Sequence, residues 1–154
     1  MADDLTERVV TFVREVVDAM GLAIEVQPEE MEDGLRINLD GEQGEVLLRR
    51  KAEPLEALQQ IVSTAFRPEL AENERLVVDC LGYRRAKDQE LRQMAQFLID
   101  KVKSSGLPQE IGPLNSYSRR LVHLEVAAAG GVASESLGDG TMKRIVISVV
   151  KDPS

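Results

Sequence analysis

The one histidine of the chain, His123, follows Arg119 by four residues in the run NSYSRRLVHLEV. On a helix that spacing makes the two side chains neighbours on one face. Arginine offers a planar fork of donors matched to phosphate oxygens, and histidine adds a donor or a flat ring on which a base can stack. Two readings of the pair stand side by side: both residues contact phosphate, or His123 is partly buried and hydrogen-bonded and orients Arg119. Arg120 lies next to Arg119, and Lys143 and Arg144 open the last apolar run. These three extend the basic patch if that run is a strand beside the helix. Arg84, with Arg85, Lys87 and Arg92, forms a second basic cluster that is either part of the same surface or a solvated helix face. Tyr117 is a stacking platform or a core residue. Ser134 and Ser136 share one face of a strand, where they either donate to phosphate or are ordinary exposed serines.

Other chemistries find little support. The carboxylate nearest His123 in sequence, Glu125, is two positions on and points elsewhere on a helix, and no serine or cysteine nucleophile motif accompanies the pair. Glu29, Glu30, Glu32 and Asp33 fall in one hydrophilic stretch, read as a turn, with no histidine and no metal-loop spacing. No glycine-rich loop of the Walker or dinucleotide type is present. The sequence therefore predicts no catalysis, no metal and no cofactor. Cys80, the only cysteine, sits in the apolar run RLVVDCLGY and reads as a small buried hydrophobe. With no basic-then-apolar leader and no apolar run near the roughly 20 residues that span a bilayer, the expected location is the cytoplasm, without membrane insertion.

The elements that must position these residues can be read from apolar spacing. Leu5, Val9, Phe12, Val13, Val16, Val17 and Met20 recur at helical intervals. Leu22 to Pro28 and Leu35 to Asp40 alternate as two strands of a hairpin around the acidic turn EEMEDG. EVLLRRK reads as a short helix, a second helix starts at Pro54, and residues 75–81 read as a buried strand. The order α-β-β-α-α-β results. Further on, Leu91, Met94, Ala95, Leu98, Ile99 and Val102 mark a long helix stopped at SSGLP. A helix from about Ser116 then follows, with Tyr117, Leu121, Leu124 and His123 toward its buried side. Val132–Leu137 and Lys143–Val150 form a hairpin joined by GDGT.

Charge divides the chain in the same place. The whole carries a formal net charge of −8, but residues 1–82 hold −11 and residues 83–154 hold +3. One half repels polyanions and the other can attract them. The expectation is an α+β protein of two small modules, 1–82 and 83–154.

The C-terminal motifs resemble the RxxxH (R-3-H) domain of the bacterial Jag family, also called KhpB. Asn115, Tyr117, Arg119, Arg120 and His123 match its helix; Gly131, Val132, Ser134, Ser136, Gly138 and Gly140 match its strand and turn; Arg144, Val146 and Ile147 match its last strand. The α-β-β-α-α-β order of residues 5–81 is similar to the KH module that precedes this domain in the family. No stretch of these 154 residues resembles the N-terminal Jag domain of many members. Where a KH module carries a Gly-x-x-Gly loop against the nucleic-acid backbone, this chain reads Leu48-Arg49-Arg50-Lys51-Ala52, so the KH-like half is a degenerate clamp. Gly41-Glu42-Gln43-Gly44 satisfies the same four-letter pattern but reads as a turn closing the second strand.

The resemblance implies binding of single-stranded RNA or DNA, RNA before DNA, through the R-3-H half. Arg119, Arg120, His123, Tyr117, Lys143, Arg144 and Arg84 are its candidate contacts. The alternative is a protein-interaction adaptor whose acidic KH-like half pairs with another protein, for which the family suggests a small KH-domain partner.

Overall fold

A computed structural model describes residues 3–150. They fall into two compact units, the first ending at Arg85 and the second starting at Ala86. Each combines helices with a three-stranded sheet, so the α+β class read from the sequence is borne out.

In the first unit, helix α1 (Asp3–Ala19) buries Leu5, Val9, Val10, Val13 and Val17. Strand β1 (Glu25–Met31) pairs antiparallel with β2 (Gly34–Asp40), and β3 (Arg75–Cys80) lies parallel to β2, giving the order β1-β2-β3. Helix α2 (Arg49–Phe66) contributes Leu55, Leu58, Val62 and Phe66 to the same core. Two local expectations are corrected. Glu29, Glu30 and Met31 belong to β1 and not to a turn, because an edge strand tolerates both Pro28 and outward carboxylates. Gly34 ends the tight connection: a Cβ there would lie 1.8 Å from the Arg75 carbonyl oxygen.

The second correction concerns the short helix expected at EVLLRRK. Glu42–Leu48 is a 3₁₀ segment, and Arg50, Lys51 and Ala52 after it are all left-handed, with φ of 53°, 57° and 63°. Left-handed residues other than glycine cost roughly 1–2 kcal/mol each. Buried Leu47 and Ala52 anchor the turn on both sides, while Arg49, Arg50 and Lys51 are exposed. The upstream Gly41 has φ 121°, and a Cβ on buried Gly44 would press to 3.0 Å from the Cys80 sulfur. These two glycines therefore serve backbone geometry and close packing. The Cys80 thiol is buried, donates to the Gly44 carbonyl at 3.4 Å, and is pushed up to about 11 by burial, next to Asp79. That is the setting of an inert thiol.

Polar side chains finish the sheet edge and start the next helix. Gln59 on α2 accepts from the Val78 N–H at 2.7 Å and donates to the Leu76 carbonyl at 2.8 Å. Asp79, only 1% exposed, accepts from Arg36 at 2.9 Å and from the backbone N–H groups of Cys80 and Arg84 at 2.8 Å. The last of these bonds caps helix α3 (Tyr83–Ser105), whose first three residues lie within the first unit.

In the second unit, α3 buries Ala95, Ile99 and Val102. After it comes β4 (Gln109–Leu114), a strand the sequence reading does not contain. QEIGPL has one buried residue, Ile111, and a bulge between Ile111 and Leu114 around Gly112 and Pro113, so no alternation betrays it. Helix α4 (Ser116–Ala129) leads to the hairpin β5 (Val132–Leu137) and β6 (Lys143–Val149), and the sheet runs β4-β6-β5, antiparallel throughout. On α4 Leu121, Val122 and Val126 are buried, whereas Leu124 points to solvent. Among the described residues no helix is long and apolar enough to cross a membrane.

Candidate nucleic-acid interface

Helix α4 starts where Asn115 accepts the Ser118 N–H at 2.8 Å, an N-cap that fixes the register of every side chain after it. One turn in, Arg119 Nη1 donates to the Leu114 carbonyl at 2.7 Å and to the Thr141 carbonyl at 3.0 Å. One nitrogen thus ties the β4–α4 junction to the β5–β6 turn.

His123 reaches across to β5. Its Nδ1 lies 2.6 Å from the Ser134 hydroxyl and its Nε2 2.9 Å from that of Ser136. The ring is held below the usual histidine range, first by burial and then by the positive charge of Arg119. It is therefore neutral at pH 7, with one nitrogen donating to a serine and the other accepting from one. Of the two readings of the pair, the hydrogen-bonded, partly buried histidine fits these contacts, although its partners are the two serines and not Arg119. The spacing Ser-x-Ser carried the signal, since alternate residues of a strand face one way. The Thr141 carbonyl had no signal, because any residue type supplies one.

The other candidates separate. Tyr117 donates to Asp88 on α3 at 2.6 Å, which fixes its ring. Arg120 is exposed, and among the described residues its side chain has no ion pair. Lys143 and exposed Arg144 begin β6 two and three residues beyond the Thr141 anchor, beside an open groove walled by Gly112, Pro113, Leu137 and Met142. Arg144 approaches Glu110 at 3.7 Å, an exposed pair that contributes little to stability. Arg84 belongs to the first unit: its Nε donates to the Val78 carbonyl at 2.8 Å, its Nη1 pairs with Glu56, and its Nη2 is buried without a partner. Arg85 pairs with Glu29, whose carboxyl is held below its usual range by Asn38 and Arg85. Counting both arginines with the first unit lowers the charge of the second from +3 to +1 and leaves the first at −9.

Among the described residues no three His, Cys, Asp or Glu side chains are grouped to hold a metal ion. A helix opening on an N-cap, a guanidinium clamping the turn ahead of a basic strand, and a histidine spanning two serines define one class of protein: residues 89–149 match the R-3-H domain family. Nearly the whole chain is similar to named relatives. It is 26% identical to the RNA-binding protein KhpB of Clostridium symbiosum over 97% of this chain and 68% of that protein. It is 24% identical to RNA-binding protein KhpB of Bacillus subtilis over 89% of this chain and 67% of that protein. The resemblance to the Jag family read from the motifs is borne out.

Proposed function

We propose that this protein binds single-stranded RNA, without catalysis, through phosphate contacts on its R-3-H unit. One observation carries the reading: the bond from Arg119 to the Thr141 carbonyl brings the arginines of α4 to the turn from which Lys143 and Arg144 project. Arg120, Lys143 and Arg144 are the phosphate contacts, Arg119 presents the donors it does not spend on the two carbonyls, and His123 holds β5 in place. The names of the similar KhpB proteins support RNA as the ligand. Because unit 2 has a charge excess of only +1, affinity depends on the local grouping of these cations and is lost as salt rises.

The KH-like first unit serves as a protein-contact module. In its support, the turn at Arg50–Ala52 carries side chains where a backbone clamp needs glycines, and the unit holds a charge of −9. A small KH-domain protein is the partner class the family resemblance implies for it.

The test is fluorescence anisotropy of an unstructured RNA oligomer with the full chain at two or more salt concentrations. Arg120→Ala should reduce the salt slope by about 0.7, the counterion release of one single-strand phosphate contact. Lys143→Ala with Arg144→Ala should reduce it by about twice that. Wild-type affinity and slope in all three would sink the reading.

A further inference from the structure

Each sheet ends in two edge strands, whose outward N–H and C=O groups are open to another strand unless something blocks them. Three of the four are blocked. On β1, Pro28 lacks an N–H and Arg14 covers the Val26 carbonyl at 3.4 Å. On β3, Gln59 occupies the Val78 N–H and the Leu76 carbonyl, and Arg84 takes the Val78 carbonyl. On β4, the bulge at Gly112 and Pro113 breaks the row.

Strand β5 has none of these devices. It contains no proline and pairs with β6 from Val132 to Leu137 without a register shift. The bond from the Val150 N–H to the Gly131 carbonyl fixes the phase of the ladder. Antiparallel pairing alternates, so Ala133, Glu135 and Leu137 bond to β6, while the N–H and C=O groups of Val132, Ser134 and Ser136 face outward.

We propose that this edge pairs with β5 of a second copy of the chain, antiparallel about a two-fold axis through Ser134. Charge chooses the register. Centred one step on, at Glu135, the same phase would set two glutamates directly opposite each other, which is unfavourable. Centred on Ser134, Glu135 meets Ala133 of the partner subunit and Val132 meets Ser136 of the partner subunit. No like charges face each other. Ala133 and Glu135 form a non-hydrogen-bonded pair in this arrangement, the kind in which side chains approach most closely. Both are exposed and alternate with the serines that hold His123, so they lie on the other sheet face. A six-residue strand falls short of the roughly 1,000 Å² of a durable interface, and the dimer is a weak, concentration-dependent one.

Sedimentation of the full chain from micromolar to millimolar concentration, with amide exchange read by NMR, tests this pairing. Dimer should appear with concentration, and the amides of Val132, Ser134 and Ser136 should gain protection with it, while those of Ala133, Glu135 and Leu137 are protected already. Ala133→Lys places an ammonium opposite Glu135 twice per dimer and should tighten association several-fold. Ala133→Glu should weaken it by a similar factor. A chain that stays monomeric with no concentration-dependent protection overturns the proposal. So does association that shifts in the same direction in both variants. RNA binding to short strands is untouched by either result.

Discussion

His123 and Arg119 spend their best donors inside the fold, and this sets what their substitution does. A neutral imidazole bridging two hydroxyls is copied by a glutamine amide, which also has one donor end and one acceptor end. Because the folded protein holds the His123 pKa down, the unfolded chain takes up a proton first as pH falls below the usual value near 6.5, and stability falls with it. Above that pH the group contributes no slope. The melting temperature of His123→Gln should therefore lie below wild type at pH 7 and approach it as pH falls to about 5, measured by thermal unfolding in matched buffers. A gap that widened toward acid would mean that the ring is stabilised as the cation. Arg119→Ala frees two carbonyls from one donor and should cost about 1.5–3 kcal/mol of stability, the value of hydrogen bonds to a charged group. At this scale the sequence revealed the helix-face pair and the paired serines, because period 3.6 and period 2 are local. It did not reveal Thr141, 22 residues from Arg119, nor Asp88, 29 residues from Tyr117.

Among the elements, those with a buried stripe were legible and those held by backbone geometry were not. α1 and α3 repeat apolar residues every three or four positions, whereas β4 buries only Ile111 and breaks at Gly112 and Pro113. The basic turn before α2 is the clearest case, since nothing in Arg50-Lys51-Ala52 suggests a left-handed backbone. It follows that two glycine substitutions in this turn differ in sign. Lys51 has φ 57°, so Lys51→Gly removes a steric cost and should stabilise the fold by about 1 kcal/mol. Leu48 has φ −96° and packs against the core, so Leu48→Gly loses apolar burial and should destabilise by more than that. Urea unfolding of the two single variants decides it, and equal signs would show that the turn is not strained where its dihedrals place it.

For the whole molecule, the charge step near residue 82 pointed to two units but overstated their contrast. Arg84 and Arg85 stand after the step in sequence and spend their charge on Glu56 and Glu29 before it. No composition count can see such pairing. The chain also crosses between the units inside α3, capped by Asp79, and this has a consequence for proteases. Trypsin finds Arg84, Arg85 and Lys87 in a cluster at the junction and Arg49, Arg50 and Lys51 in a row at the left-handed turn. A protease must pull several residues into an extended conformation to cut, and exposed turns yield to this more readily than a capped helix does. Brief digestion followed by mass spectrometry should therefore find the first nick within residues 49–51. That cut leaves α3 whole, so the excised C-terminal piece would carry β3 and the R-3-H unit together rather than the R-3-H unit alone.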